Sequence, residues 1–284
     1  MKLEARRVLL TGATGGIGRV IAQRLLEEGA HVMLVARDET ALGSLVRSFA
    51  FAGDRVHAHV ADLTQRAART ALCDTARQWH GGIDVLINNA GQNNFSMYED
   101  LAPEQIDQCL AINLQAPMHL CRDLLPWLKA RESAVIVNVG SVFGCIGYPG
   151  NVAYSATKFA IRGFSEALRR ELADSRVTVK HLAPRATRTA MNSCAVEEMN
   201  LRLKVAMDPP ERVARELIAL LKRRRHSAVI GWPEKLFVKV NAVLPGIVDR
   251  AVRGQLSIIR AFARRLRAPV PQEIHANEHQ DIAA

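Results

Sequence analysis

The sequence has none of the features that would set it apart from ordinary globular proteins. It contains no unbroken apolar stretch of about 18 residues, so no segment reads as a membrane span. Its first apolar run, residues 8–10, is too short for a signal-peptide core and leads straight into glycines. The five cysteines, at 73, 109, 121, 145 and 194, form no Cys-x2-Cys pair and are odd in number. That pattern argues for reduced thiols in a cytoplasmic setting and offers no zinc or other metal site. Glycine and proline, 18 and 11 of 284 residues, are too ordinary for collagen or low-complexity disorder. There is no internal repeat of solenoid length.

Charge is the outlier: 38 Lys and Arg against 28 Asp and Glu give +10. Such a balance suggests nucleic acid or an anionic membrane as partner, so the location of the excess matters. Residues 1–210 sum to +3, residues 211–270 to +10 and residues 271–284 to −3. The surplus therefore belongs to one late stretch, and the rest of the chain is neutral.

Short β-branched runs alternate with longer segments of helical period. Strands are predicted at 8–10, 31–35, 56–60, 84–88, 134–139, 177–181 and 227–230. Helices are predicted at 16–28, 40–52, up to 80, 103–129, 151–172 and 211–222. The strand runs are apolar without alternation, as in a parallel sheet buried on both faces. This rhythm predicts an α/β fold, a doubly wound parallel sheet of about seven strands flanked by helices. With no linker before about residue 233, the expected division is a domain over 1–232, a basic helical extension over 233–270 and a disordered tail over 271–284.

Thr11-Gly12-Ala13-Thr14-Gly15-Gly16-Ile17-Gly18 falls where the first strand turns into the first helix. Glycines there let the backbone turn tightly and approach a pyrophosphate, whose charge meets the helix N-terminus. They also serve plain strand-to-helix turns, so this segment alone does not decide. Tyr154 and Lys158 lie four residues apart on a predicted helix and share a face. An ammonium beside a phenol favours the phenolate, which makes the pair a tuned general acid or base. In isolation such a pair can equally face solvent.

What decides is company. Thr11-Gly12-x3-Gly16-x-Gly18, Asn88-Asn89-Ala90-Gly91, Asn113, Ser141 and Tyr154-x3-Lys158 occur in that order. The set resembles the short-chain dehydrogenase/reductase family, in its shorter oxidoreductase branch, over residues 5–232. The resemblance implies a Rossmann-like fold, a nicotinamide dinucleotide and a small-molecule carbonyl or alcohol substrate. It gives Tyr154 the proton transfer at the substrate oxygen and Ser141 the hold on that oxygen. Lys158 would lower the Tyr154 pKa and hydrogen-bond the nicotinamide ribose. Asn113 would bend its helix locally and fix a water that relays protons to Lys158.

Cofactor contacts are implied at Gly12, Thr14, Gly15, Gly16, Ile17 and Gly18, and at Leu63, Asn89, Ala90 and Gly91. Asp62 resembles the family's contact to the adenine amino group, and capping the next helix is a compatible role. Thr187, through its backbone, and Thr189 match contacts to the nicotinamide carboxamide. Arg185 stands where the family has glycine, either at the pocket rim or facing solvent. The second strand ends Ala36-Arg37-Asp38. An acid at the Ala36 position would accept from ribose hydroxyls, whereas a cation accommodates a 2′-phosphate. Arg37 therefore predicts NADP, with NADPH preferred over NADH, although Asp38 could pair with it or face the ribose.

The expectation is an NADPH-preferring alcohol dehydrogenase or ketoreductase. The alternative, a non-catalytic NADP-binding regulator, has no reason to retain Ser141, Tyr154 and Lys158. The resemblance also implies a homo-oligomer built through the helices at 103–129 and 151–172. Substrate walls are expected from the lid at 189–209 with Met191, Met199, Leu201, Leu203 and Met207, from Cys145, Ile146, Tyr148 and Pro149, and from the loop at 92–98. Their apolar character suits a lipophilic substrate, and the same lid residues could serve as ordinary helix packing.

In the basic stretch, Lys222-Arg223-Arg224-Arg225 complements the dipole at a helix end. Beyond Trp232-Pro233, helices are predicted at 236–244 and 247–266, broken at Pro245-Gly246. In the second, Leu256, Ile259, Phe262, Ala263 and Leu266 fall on one side, with Arg260, Arg264 and Arg267 on another. A basic amphipathic helix reads as a membrane-surface element. Packing on the enzyme's own core or on a partner subunit is the competing reading. Nucleic acid is not expected, because no nucleic-acid fold signature or aromatic interleaving accompanies the charge. The expected location is cytoplasmic, with peripheral contact to the inner face of a membrane left open.

Overall fold

Alternating strand residues divide the interior into two apolar layers. In the computed structural model, which describes residues 1–267, Val8 and Leu10 of β1 (Arg7–Thr11) face one layer and Leu9 faces the other. The expected tail at 271–284 lies outside the described residues. The remaining strands are β2 (His31–Ala36), β3 (Val56–Val60), β4 (Val85–Asn88), β5 (Ala134–Val139), β6 (Val177–Ala183) and β7 (Ser227–Val229). All pairings are parallel, in the order β3-β2-β1-β4-β5-β6-β7. The order reverses between β1 and β4, and a crevice opens beyond the strand ends at such a switch point.

One face is covered by α1 (Gly16–Glu27), α2 (Glu39–Ser48) and α8 (Pro210–Lys222), which contribute Ile21, Leu25, Leu42, Leu217 and Leu221. The other is covered by α3 (Arg66–Gln78), α5 (Ala116–Lys129) and α6 (Val152–Glu171), through Leu72, Leu120, Leu124 and Leu128 among others. Burying each such side chain contributes about 1.5–3 kcal/mol. Gly29 stops α1: it takes φ +80°, while its N–H and that of Ala30 donate to the carbonyls of Leu26 and Leu25. The helix predicted to reach residue 52 ends at Ser48, and 3-10 turns follow across Gly53.

The helix predicted at 103–129 is not continuous. It consists of α4 (Pro103–Leu110), one π-helical turn (Ala111–Gln115) and α5. Pro117 has no N–H for the carbonyl of Asn113 four residues earlier, and a wider turn accommodates the missing bond. At the end of α8 the capping cation is Lys180 of β6, whose ammonium donates to the carbonyls of Leu220, Arg223 and Arg225 at 2.9, 2.7 and 3.0 Å. Lys222 instead pairs with Glu28, and Arg223 to Arg225 face solvent.

Beyond β7 the chain forms α9 (Glu234–Val243), α10 (Pro245–Arg253) and α11 (Leu256–Arg267), so the single helix expected at 247–266 is two, parted at Gly254. Ile259 and Phe262 of α11 are buried with Met199 of α7 (Cys194–Arg202), and Phe95, Tyr148 and Leu203 pack around them. The apolar face of α11 is thus covered by α7 of the same chain. Arg265 reinforces the contact by pairing with Glu198 at 3.0 Å.

Candidate active site

A cavity of about 670 Å³ opens at the carboxyl ends of the strands. It receives the glycine turn, Arg37, Asp62 and Leu63 on one side, and Ser141, Tyr154, Lys158, Thr187 and Thr189 on the other. Asn89, Ala90 and Gly91 form the floor between them. Of the catalytic and cofactor-contact residues that the resemblance implies, Asn113 alone is not on the wall, and it sits one layer behind.

The glycine turn is held by β4. The Thr11 hydroxyl accepts the N–H groups of Asn89 and Ala90, both at 3.0 Å, and the Asn89 amide donates to the carbonyls of Thr11 and Gly12. Gly12 has φ +65°, and a Cβ there would come within 2.7 Å of the Ala90 Cα. No side chain caps the N-terminus of α1 at Gly15, and the first residues of the helix line the cavity. An uncapped N-terminus behind a close-packed glycine turn fits a pyrophosphate, the group for which this junction is suited.

At the end of β2, Asp38 is occupied elsewhere: its carboxylate accepts the Ala41 N–H at 2.9 Å and caps α2. Arg37 is exposed at the cavity and makes no ion pair among the described residues. Asp62 accepts both the N–H and the hydroxyl of Thr64 through one oxygen, shaping the turn before α3.

Tyr154 and Lys158 share a face of α6, as their spacing requires. Phe143 packs edge-on against Tyr154 and stacks on Tyr148. Burial pushes the Tyr154 hydroxyl up to about 12, and a hydrogen bond with Ser141 pulls it down. Burial outweighs the lowering expected from Lys158. Lys158 is 5% exposed, donates to the Val139 carbonyl at 3.0 Å and lies 5.4 Å from the centroid of the Tyr154 ring. Burial pulls its ammonium down to about 8. Ser141 is kept in place by accepting the Phe143 N–H at 3.1 Å.

Asn113 occupies the π-turn. Its amide exchanges two hydrogen bonds of 2.9 Å with the backbone of Gln92 and donates to Thr157 on α6 at 3.2 Å. It therefore pins the chain after Gly91 to the helix that carries Tyr154. A Cβ on Gly91 would lie 2.9 Å from the Asn113 oxygen and 3.6 Å from the Lys158 ammonium, so the two groups bracket that glycine.

The arginine in the loop after β6 is a hub. Arg185 pairs with Asp208 at 2.7 Å and Glu234 at 3.0 Å, and donates to the Trp232 carbonyl at 3.2 Å. It ties the loop carrying Thr187 and Thr189 to the segment before α8 and to the first turn of α9. Thr187 is further held by an isolated bridge to Asp208.

Some expected walls are absent and others come from an unexpected direction. Leu201 is 78% exposed and points away, and Leu203, Met207, Cys145 and Pro149 also stay out of the cavity. Met191, Met199, Ile146, Tyr148 and Phe95 do line it. The ceiling is built by Phe237, Ile247, Val248, Ala251, Val252 and Gln255 of the C-terminal helices. Sequence reasoning assigned no site role to these residues; their signal was the apolar period of Ile247, Val248, Ala251 and Val252. Tyr148 donates its hydroxyl to Gln255 at 2.7 Å, and Asn241 donates to the Cys145 carbonyl at 3.0 Å, fastening the ceiling to the catalytic side.

The sequence profile of the family described as short chain dehydrogenase matches residues 6–200. The chain is 32% identical over 254 residues to D-beta-hydroxybutyrate dehydrogenase of Cupriavidus necator, covering 89% of this chain and 96% of that protein. It is 34% identical over 206 residues to nodulation protein G of Rhizobium meliloti, covering 72% and 83%. A solved structure of a metagenomic short-chain oxidoreductase in complex with NADP is similar with a TM-score of 0.68 at 29% identity, covering 81% of this chain and 98% of that one. With a profile match over more than half of its length, the protein belongs to the short-chain dehydrogenase/reductase family.

Proposed function

We propose that the protein is an NADPH-preferring oxidoreductase that interconverts a carbonyl and an alcohol, with Tyr154 as general acid and base. The observation that carries this reading is the meeting of Tyr154, Ser141 and Lys158 at one cavity with the glycine turn. The Gly12 to Gly18 turn would hold the pyrophosphate, Asp62 and Leu63 the adenine, and Thr187 and Thr189 the carboxamide end. When bound, the dinucleotide supplies or takes up the hydride.

The protein's own residues supply position and protons. Ser141 and Tyr154 both present hydroxyls to the substrate oxygen, which holds the carbonyl carbon for attack. A phenol raised to about 12 keeps its proton at neutral pH, so Tyr154 is poised as a proton donor, which supports reduction. The ammonium of Lys158 stabilises the phenolate left behind. Arg37, free because Asp38 caps α2, supports the NADPH preference, and an NADP complex of a relative at 29% identity is consistent with it. The apolar ceiling and Met191, Met199 and Ile146 favour a lipophilic substrate. For the homo-oligomer, exposed Met118 on α5 and Val152 and Phe159 on α6 are the apolar material available.

The test is NADPH oxidation with a panel of aliphatic and aromatic ketones and aldehydes. Tyr154→Phe should lower turnover by roughly 10²–10⁴ while NADPH binding, read by fluorescence, is retained. Turnover that survives this change would sink the mechanism, and NADPH binding without turnover of any carbonyl would favour the regulator.

A further inference from the structure

The helices α9 and α10 face two ways. Inward they build the ceiling of the cavity, and outward the turn between them is bare. Val243 is 75% exposed, Leu244 55% and Ile247 58%, and Trp232 and Leu236 are exposed as well. Single exposed apolar residues are ordinary, but a turn whose consecutive tip residues are Val243, Leu244 and Pro245 is a contiguous apolar surface. Exposed cations stand on the same two helices: Lys235 and Lys239 on α9, and Arg250 and Arg253 on α10. None of the four has an ion-pair partner among the described residues. Residues 234–267 carry eight basic and two acidic side chains.

These observations separate two segments that the sequence pattern joins. The apolar face of α11 is occupied by α7 and is not available to a partner. The α9–α10 turn is available, and its chemistry is an apolar tip with a cationic surround. A second copy of this chain would bring like charges together, whereas an anionic surface is complementary. No helix among the described residues is long and apolar enough to cross a membrane, so any bilayer contact is peripheral.

We propose that the α9–α10 turn docks on a lipid bilayer bearing anionic headgroups, with Val243 and Leu244 entering the headgroup layer and Lys235, Lys239, Arg250 and Arg253 meeting the phosphates. Ile247 belongs both to the exposed tip and to the cavity wall, so the docked turn sets the rim of the cavity against the lipid. A lipophilic carbonyl dissolved in the membrane then reaches the site without crossing water. This last consequence rests on the function proposed above, whereas the docking itself does not.

Flotation of the full-length protein with vesicles tests the docking without turnover. At low salt the protein should float with phosphatidylcholine vesicles containing about one third phosphatidylglycerol, and far less with phosphatidylcholine alone. Lys235→Gln with Lys239→Gln should weaken binding roughly 25-fold, about fivefold for each cation. Val243→Asp with Leu244→Asp should weaken it roughly a hundredfold or more, by removing two apolar insertions. Neither pair lines the cavity or sits in the core, so melting temperatures should match the parent protein, which separates lost docking from lost folding. Absence of flotation, or flotation indifferent to the Val243 and Leu244 changes, overturns the proposal. Self-association abolished by the same changes, without vesicle binding, overturns it in favour of a second copy. Failure to reduce any carbonyl would count against the proposed reaction and leave the flotation result standing.

Discussion

Replacing Lys158 by methionine should abolish turnover and make the unliganded protein more stable. Lys158 is a nearly fully buried cation with one carbonyl partner, and burial pulls its pKa from 10.5 to about 8. A gap of that size corresponds to about 3 kcal/mol, and its sign is a penalty on folding. Below pH 8 the group is charged in both states and folding carries the whole penalty. Between pH 8 and 10.5 the unfolded chain binds the extra proton, so stability rises with pH. Above 10.5 the group is neutral in both states and the penalty is gone. Methionine keeps an unbranched apolar stem and removes the charge, losing one hydrogen bond worth about 1 kcal/mol. The variant should therefore gain about 1–3 kcal/mol at pH 7, and the gain should shrink toward zero as pH approaches 10.5. Urea unfolding of both proteins at several pH values measures this difference, in which the other titrating groups cancel. A variant less stable than the parent at pH 7, or a difference that does not change with pH, would refute the reasoning.

Arg185→Met leaves Asp208, which is 3% exposed, with Arg212 as its remaining partner at 2.9 Å. The cost should be about 2–4 kcal/mol, seen in calorimetry as a melting temperature lower by roughly 5–10 °C; an unchanged melting temperature would mean the hub contributes little. Arg37→Ala should raise the Kd for NADPH roughly 10- to 100-fold and leave that for NADH nearly unchanged, and an equal loss for both would remove Arg37 from the 2′-phosphate. Gly12→Ala introduces a Cβ at positive φ and 2.7 Å from the Ala90 Cα. It should lower stability by about 2 kcal/mol in urea unfolding and eliminate NADPH binding by fluorescence titration; a well-folded variant that still binds would contradict the close packing of that turn.

What could be read from the sequence follows from the range over which each signal acts. The uninterrupted apolar runs at Val8 to Leu10 and Ala134 to Val137 reported strands buried on both faces, because burial on a parallel sheet writes itself locally. The spacing of Tyr154 and Lys158 placed them on one face for the same reason. The π-turn was visible only as an expected bend at Asn113, since Leu110 and Leu114, four residues apart, keep the helical apolar spacing through it; Pro117 was the local signal of its cause. Arg185 could be seen as a departure from glycine, but not as a hub, because Asp208 and Glu234 lie 23 and 49 residues further along. Leu201 was misplaced because the lid's composition does not say which of its leucines turns inward. Likewise the amphipathic pattern of α11 showed an apolar face without saying that α7 would cover it.

The ceiling built by α9 and α10 divides the chain as well as the cavity. The glycine turn, Ser141, Tyr154, Lys158 and the loop with Thr187 and Thr189 all precede residue 190, whereas the ceiling of the cavity comes from residues 237–255. Changes of selectivity can therefore accumulate in a late stretch that lies outside the seven strands. Exchanging that stretch between relatives, with Glu234 kept opposite Arg185, is a route to new substrates that leaves the reaction chemistry as it stands.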